Sequence, residues 1–148
     1  MSLGEFELID RYFKPLSAPD GRGRDDVRLG IGDDGAVLRA PAGEELIVVL
    51  DTLVAGRHFL AHADPRSIAH RALAVNLSDL AAMGARPAWA LLGLTLPEAE
   101  DAFLGALADG WRSLASRYDV ALVGGDTTRG PLSLTVQLTG FVPLGIAL

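Results

Sequence analysis

Two long helix-forming segments that alternate with strand-forming segments constrain the fold of this 148-residue chain most strongly. Residues 65–83 and 98–118 have helical periodicity, and strand-forming segments precede, separate and follow them. Asp64 and Pro65 are suited to begin the first of these helices, and Gly84 is suited to end it. Strands that alternate with helices predict a sheet with helices packed on it, and the length allows one core.

The remaining segments complete the predicted order of elements. A short amphipathic helix is expected at residues 5–12, with Phe6, Ile9 and Phe13 on its apolar face, and a polar loop is expected at residues 17–26. Strands are expected at residues 27–31, 36–39, 45–50 (a buried strand), 89–96, 120–123 and 133–142. Because the two long helices lie on one side of hairpin-like strand pairs, the predicted class is α+β. We expect a mixed sheet of about four main strands with two long helices on one face.

Residues 130–148 carry no charged side chain, which by length alone would suit a membrane span. However, apolar and polar residues alternate there, as in Leu134, Thr135 and Val136, and this period of two predicts a strand with one apolar face. The N-terminal residues lack the long apolar region of a targeting segment. We therefore expect a cytoplasmic protein that does not span a membrane.

Charge and cysteine content argue against several functions. The chain has 13 basic and 19 acidic residues, a formal net charge of −6, which disfavours a nucleic-acid partner. It has no cysteine, which excludes disulfides, thiolate metal sites and cysteine nucleophiles. Thirteen of the acidic residues are aspartate, a poor helix former but a good cation ligand in loops. The single lysine, Lys14, is not part of a Walker-type loop.

Aspartates recur at the ends of apolar segments. Asp33 and Asp34 follow a short strand and a glycine, Asp51 follows ELIVVL, and Asp126 follows ALVGG. Taken singly, each is explained by ordinary turn chemistry, and the glycines before Asp126 could also form a backbone nest for an anion. Taken together, hard carboxylate oxygens at several strand ends suit Mg²⁺, which binds one or two carboxylates plus substrate phosphates.

Two further candidates lie outside this pattern. Asp79 lies inside the first long helix, whose residues are apolar nearly all round, so we expect it to be buried. A buried carboxylate is costly, so Asp79 either accepts hydrogen bonds from a neighbouring loop or binds a metal. His58 lies in a glycine-containing loop after Asp51 and is either a substrate contact or an ordinary surface histidine.

Five motifs, in order along the chain, resemble thiamine-monophosphate kinase. They are GEFELIDRYF (4–13), GIGDDGAVL (30–38), DTLVAGRHF (51–59), NLSDLAAMGARP (76–87) and GGDTTRGPLSLTV (124–136). That family shares its fold with aminoimidazole ribonucleotide synthetase. The resemblance implies that residues 1–148 are an N-terminal ATP- and Mg²⁺-binding and dimerisation domain. The implied activity is ATP-dependent phosphorylation of thiamine monophosphate to thiamine diphosphate.

The resemblance also implies roles for individual residues. The implied ligands of several Mg²⁺ ions are Asp33, Asp34, Asp51, Asp79 and Asp126. Gly125 and Asp126 would contact the nucleotide, and His58 would contact the thiamine phosphate. No protein nucleophile is expected, because phosphoryl transfer depends mainly on positioning and charge neutralisation.

Two features depart from the family pattern. Val49 and Leu50 stand where the family usually has hydroxyl residues, so a side-chain metal ligand is lost there. The family's C-terminal domain is expected to be absent from this chain. The resemblance implies a homodimer, with two-fold symmetry as the default. Two alternatives stay open: an inactive dimerisation and metal-binding module, or another ATP-using enzyme of the aminoimidazole ribonucleotide synthetase type.

Overall fold

The computed structural model describes residues 3–148. In chain order the elements are α1 (Glu5–Leu8), β1 (Val27–Leu29), β2 (Val37–Leu38), β3 (Glu44–Val54), α2 (Pro65–Ala82), β4 (Arg86–Leu96), α3 (Asp101–Tyr118), β5 (Ala121–Arg129) and β6 (Ser133–Pro143). Four strands form a mixed sheet in the order β3-β6-β4-β5. β6 pairs antiparallel with β3 and β4, while β5 pairs parallel with β4.

The two long helices lie on one face of this sheet, called here the helix face. α2 packs on β3 and β6, and α3 packs beside α2 in the same core. Leu134, Val136 and Leu138 of β6 are fully buried there, as the period of two predicts. The opposite face is called here the open face. This arrangement confirms the predicted α+β class with a mixed four-stranded sheet and two long helices on one face.

A short ribbon covers one end of the open face. β1 and β2 pair antiparallel with each other and form a separate two-stranded sheet. Val27 and Leu38 of the ribbon pack against a second apolar cluster that contains Trp89 and Phe141, whose rings meet edge to face with centroids 4.9 Å apart. The rest of the open face is uncovered in residues 3–148, which leaves room for a site beside the ribbon.

Two strands run further than predicted. β3 continues through residue 54 and β5 through residue 129, because both keep pairing with a neighbour. Asp51 and Asp126 therefore lie within strands and do not follow them. The strand predicted at residues 45–50 is present as part of β3, but the prediction that it is buried is wrong. β3 is at the edge of the sheet, and Val48 and Leu50 on its open face are each 61% exposed.

The N-terminal helix is not a regular α-helix. After α1, a π-helical turn (Ile9–Phe13) and a 3₁₀ turn (Lys14–Ser17) follow without a break. The wider π turn rotates the buried face, so that Leu8 and Phe13 are buried while Phe6 is 84% exposed. The predicted apolar face of Phe6, Ile9 and Phe13 is therefore wrong at its first position.

Local signals predicted the ends of α2 well. The Asp64 side chain accepts a hydrogen bond from the Arg66 N–H at 3.2 Å, and Pro65 is the first helical residue. Gly84 follows the helix with φ +72°, the left-handed conformation that glycine adopts without strain. Residues 3–148 contain no helix whose length and apolar character would allow it to cross a membrane.

Candidate functional site

An open cavity of about 1180 Å³ lies over the open face of the sheet. Its walls are the N-terminal helical segment, the loop between β1 and β2, and the open-face residues of β4, β5 and β6. It contains three of the predicted site aspartates, namely Asp33, Asp34 and Asp126, together with Gly125. The fold thus brings together residues separated by more than ninety positions in the sequence.

Gly125 lies at an irregularity in the pairing of β4 and β5. The register shifts by one residue there, so that Gly124 pairs with Leu91 and Gly125 with Leu92. Gly125 has φ +154°, and a Cβ at this position would overlap the Leu92 carbonyl oxygen and lie 2.7 Å from its carbonyl carbon. Only glycine fits, and its exposed backbone faces the cavity without a side chain in the way.

Asp126 belongs to a row of residues that crosses the whole sheet. Thr52 pairs with Thr135, Thr135 with Gly93, and Gly93 with Asp126. The Thr52 and Thr135 hydroxyls are 2.8 Å apart. Gly93 carries no side chain, so no side chain lies between Thr135 of β6 and Asp126 of β5 in this row. The polar Thr135 therefore faces the exposed Asp126 carboxylate across Gly93.

Asp33 and Asp34 lie on the loop between β1 and β2, where both side chains are exposed. The Asp33 carboxylate accepts a hydrogen bond from the Asp34 backbone N–H at 2.8 Å, which fixes its orientation. This is the turn chemistry that the sequence offered as one alternative. The remaining carboxylate oxygens of the loop are free to face the cavity.

Three of the predicted site residues lie away from the cavity. Asp51 pairs with Val136, whose side chain is on the helix face, so the half-buried Asp51 lies on that face too. Asp79 is exposed on α2, so the expectation that it is buried is wrong. Asn76 is the fully buried polar residue of this helix. α2 has one side on α3 and the sheet, and its small apolar residues elsewhere tolerate contact with water.

His58 lies in the loop after β3 and also outside the cavity. Its Nδ1 accepts a hydrogen bond from the Val54 N–H at 2.9 Å, which requires the neutral ring to carry its proton on Nε2. Arg71 donates to the His58 carbonyl oxygen. The ring is thus held in a defined orientation, with one N–H left to donate.

The donor chemistry of the cavity fits Mg²⁺ better than a transition metal. Within residues 3–148, no three His, Asp or Glu side chains converge on a position that could hold an ion. The carboxylates that do line the cavity are hard oxygen donors on three separate segments, namely the N-terminal helical segment, the loop between β1 and β2, and β5. Mg²⁺ suits such a set, since it keeps several waters and takes much of its coordination from substrate phosphates.

Sequence reasoning did not assign several residues that line the cavity. Thr135 and Gln137 form its floor, and their alternation with leucine and valine was visible as a strand pattern only. The single lysine, Lys14, adds a cation whose Nζ lies 3.5 Å from the Asp10 carboxylate. Phe6 adds an exposed aromatic ring at the wall. Phe6 and Thr135 lie within two of the five motifs, but nothing in those motifs shows that the residues share a cavity, because their proximity depends on the packing of the N-terminal segment.

A largely buried ion pair lies beneath the ribbon next to the cavity. Arg24 donates to both carboxylate oxygens of Asp26 at 2.9 and 2.8 Å, and Trp89 Nε1 donates to Asp26 at 3.0 Å. The Arg24 guanidinium holds the pKa of the Asp26 carboxyl below its usual range. The same hydrogen bonds raise the pKa of Arg24. Both groups are therefore charged at neutral pH.

The comparisons with known proteins identify the class of this fold and site. Residues 32–142 match the family described as AIR synthase related protein, N-terminal domain. This match covers most of the chain, and the chain belongs to that family.

Individual relatives narrow the comparison further. The chain is 55% identical over 148 residues to thiamine-monophosphate kinase of Escherichia coli strain K12, covering all of this chain and 44% of that protein. The crystal structure of thiamine-monophosphate kinase from Stenotrophomonas maltophilia K279a has 54% identity and a TM-score of 0.85, over 100% of this chain and 45% of the other. The chain thus spans less than half the length of these relatives.

A third relative carries ligands. The structure of AaThiL complexed with AMPPCP and TMP has 32% identity and a TM-score of 0.66, over 97% of this chain and 44% of that chain. The resemblance to thiamine-monophosphate kinase, drawn from five sequence motifs, is confirmed by these matches.

Proposed function

We propose that this chain is the ATP- and Mg²⁺-binding part of a kinase that phosphorylates thiamine monophosphate to thiamine diphosphate. The proposal is supported by the similarity to thiamine-monophosphate kinases and by a relative complexed with AMPPCP and TMP. The cavity is lined by five acidic residues, Glu5, Asp10, Asp33, Asp34 and Asp126, which cannot bind phosphate by themselves. A metal ion that bridges carboxylate and phosphate accounts for the presence of the three predicted site aspartates among them.

The single observation that carries the proposal is the position of Gly125. Gly125 is a position where only glycine fits, and Asp126 follows it directly. Both residues line a cavity that also contains Asp33 and Asp34. Gly125 allows the close approach of β5 to β4, and neither Gly124 nor Gly125 has a side chain, so the backbone of β5 is accessible to a phosphate group beside Asp126. This juxtaposition suits a nucleotide whose phosphates are neutralised by Mg²⁺.

In this proposal the residues of the chain position groups and do not react. Asp33, Asp34 and Asp126 would hold Mg²⁺, which neutralises phosphate charge when bound. Gly125 leaves space for the nucleotide phosphates. No nucleophilic side chain is assigned in the cavity.

The direct test is nucleotide and substrate binding by this chain. We expect Mg-AMPPCP to bind in calorimetry, and EDTA to abolish this binding. Thiamine monophosphate is expected to protect the chain from thermal unfolding, whereas formylglycinamidine ribonucleotide is not. Protection by the second compound alone would favour another enzyme of the aminoimidazole ribonucleotide synthetase type.

A second candidate function is a binding and assembly module without turnover. It is favoured by the positions of Asp51, Asp79 and His58, none of which lines the cavity. A kinase assay with Mg-ATP and thiamine monophosphate separates the two candidates. Turnover at the rate of a full-length relative would exclude the inactive module, whereas binding without turnover would support it.

The roles of Asp51, Asp79 and His58 stay predictions. His58 is proposed to donate from Nε2 to the phosphate of thiamine monophosphate, because Nδ1 is already occupied by the Val54 N–H. His58→Gln is expected to weaken protection by thiamine monophosphate while Mg-AMPPCP binding stays the same. Equal protection of variant and wild type would remove His58 from the substrate site.

The chain is also proposed to form a homodimer through the exposed strand β3. In residues 3–148, β3 pairs with β6 alone, so its outer edge is unpaired over eleven residues. Leu46, Val48 and Leu50 on its open face are 49%, 61% and 61% exposed. A long apolar edge strand is a site of association, and a second copy can bury it by two-fold symmetry.

Sedimentation velocity tests the dimer. Wild type is expected to sediment as a dimer at micromolar concentration, and Val48→Lys as a monomer, since the lysine places a charge in the apolar strip. Arg57→Lys, in the loop after the strand, is a control that keeps the charge and leaves the strip intact. A wild-type monomer at this concentration would contradict the proposal.

A further inference from the structure

The ribbon of β1 and β2 carries Asp33 and Asp34 at its tip, and Asp26 lies at its base. Asp26 directly precedes β1, and its carbonyl oxygen accepts a hydrogen bond from the Arg39 N–H at 2.8 Å, just beyond β2. This bond closes the ribbon at the end opposite the tip. The position of Asp26 therefore fixes where the first strand of the ribbon begins and the second ends.

The Asp26 carboxylate connects the ribbon to two other parts of the molecule. It accepts from the indole N–H of Trp89 on β4, and it forms a bidentate pair with Arg24. The Arg24 side chain is only 13% exposed and that of Asp26 24% exposed. Arg24 also donates to the carbonyl of Asp119 and pairs with its carboxylate at 3.3 Å, which ties the assembly to the end of α3.

The ribbon itself has little internal stability. β1 has three residues and β2 has two, and their register is irregular. A two-stranded ribbon of this length is marginal in water without further packing. The tip holds three glycines, Gly30, Gly32 and Gly35, which add conformational freedom. The placement of the tip thus depends on what anchors the ribbon to the sheet.

Apolar packing defines the position of the ribbon on the sheet less tightly than the hydrogen bonds of Asp26 do. Val27, Ala36 and Leu38 pack against Trp89, Val123 and Phe141, and such contacts tolerate sliding. The bidentate pair and the indole hydrogen bond are directional, and they act in a partly buried environment where charged hydrogen bonds are strong. Asp26 is the group on which these directional bonds converge.

We propose that Asp26 is a positioning residue, which with Arg24 and Trp89 holds the β1–β2 ribbon on β4 so that Asp33 and Asp34 stay in the cavity. The effect on nucleotide binding rests on the proposed function of the cavity. The effect on the ribbon does not.

Hydrogen exchange measures the ribbon directly. In Asp26→Asn, amides of residues 27–38 that are protected in the wild type are expected to exchange about tenfold faster, since a charged hydrogen-bond pair is lost. The amides of α2 and β6 should be unchanged. Asp109→Asn is the control, because the Asp109 carboxylate also accepts hydrogen bonds from two side chains, those of Arg66 and Arg112, but it joins the long helices and does not touch the ribbon.

Binding of Mg-AMPPCP measures the consequence for the cavity. We expect the Kd to rise about tenfold in Asp26→Asn and to stay unchanged in Asp109→Asn. Trp89→Phe keeps an aromatic ring in the apolar cluster but removes the indole N–H together with part of the buried ring volume. The effect of the double variant Asp26→Asn/Trp89→Phe should be smaller than the sum of the two single effects, because both changes weaken the hydrogen bond between Trp89 and residue 26.

The outcomes separate the two proposals. If wild type does not bind Mg-AMPPCP, the proposed function fails for this chain, and hydrogen exchange still tests the role of Asp26. Unchanged exchange of residues 27–38 in Asp26→Asn would overturn the positioning role. An equal rise of exchange over the whole chain would also overturn it, since that is global destabilisation. If Asp26→Asn does not fold, Trp89→Phe provides the same comparison.

Discussion

The two faces of the central sheet are built from the same strands and have different roles. On the helix face, Leu134 and Val136 are fully buried against the helices. On the open face, Thr135 and Gln137, which alternate with them, line a cavity. The residues that stabilise the core and the residues that line the candidate site are therefore direct neighbours along β6, because successive side chains of a strand point to opposite faces.

The same alternation of side chains places two of the predicted site aspartates on opposite faces of the sheet. Asp126 belongs to the open face through its pairing with Gly93, whereas Asp51 belongs to the helix face through its pairing with Val136. Two residues with the same sequence context, an aspartate after an apolar run, therefore lie on different sides of the sheet. A pattern of residue types cannot decide this, since the register of pairing decides it.

The largest expected effect on the candidate site and on stability together comes from Gly125→Ala. Its Cβ would overlap the Leu92 carbonyl, so β4 and β5 must separate locally at a cost of about 3 kcal/mol or more. We expect loss of Mg-AMPPCP binding in calorimetry together with a lower urea midpoint. Gly93→Ala is the control for added volume, since its Cβ would lie at an ordinary 3.6 Å from Thr135. Equal stability of the two variants would contradict the close packing of Gly125.

The next largest effect compares the two faces directly. Leu134→Ala is expected to lower the free energy of unfolding by about 3 kcal/mol, because it leaves a cavity in the main core. Thr135→Ala, one residue further, is expected to cost less than about 1 kcal/mol, because it loses one exposed hydroxyl contact with Thr52. Urea unfolding measures both. Similar losses in the two variants would show that the open face is not free of core packing.

A smaller effect on nucleotide binding distinguishes the aspartate in the cavity from the aspartate on α2. Asp126→Asn is expected to weaken Mg-AMPPCP binding about tenfold, with unchanged stability, because the amide removes one charge from the proposed metal ligands. The sequence predicts that Asp79→Asn weakens binding too. Unchanged affinity in that variant would contradict the role of Asp79, and unchanged affinity in Asp126→Asn would contradict the proposed site.

The smallest effect is the pH dependence of the Arg24–Asp26 pair. The pKa of Asp26 is lowered in the folded chain by Arg24, so the pair stabilises the fold above the ordinary aspartate pKa of about 3.9. This contribution, about 1 kcal/mol, is lost as the pH falls through the lower folded pKa. The stability difference between wild type and Asp26→Asn should therefore be constant from pH 7 to 5 and shrink below pH 4. A difference that does not shrink between pH 5 and pH 2.5 would exclude the ion pair as its cause.

Features that depend on neighbouring residues alone could be read from the sequence. Asp64, Pro65 and Gly84 define the ends of α2, because capping is satisfied within one turn of chain. The alternation in β6 predicted its buried side chains correctly. The ordered motifs predicted the family and three residues that the fold brings to one cavity.

Features that depend on distant contacts could not be read in this way. The exposure of Asp79 follows from which side of α2 meets α3 and the sheet, and an apolar pattern nearly all round does not specify that side. The hydrogen bond from Trp89 to Asp26 joins residues that are 63 positions apart in the sequence, and no sequence motif marks it.

By itself, the sequence determined the α+β class, the capped helix α2 and the strand period of β6, since each depends on residue type and short-range spacing. Only the tertiary structure decided which aspartates share a face, that Gly125 packs against the Leu92 carbonyl just after a bulge in β5, and that Asp26 bonds to Arg24 and Trp89. The physical reason is that sheet register and helix rotation are set by packing over the whole chain, and a shift of one residue moves a side chain to the other face.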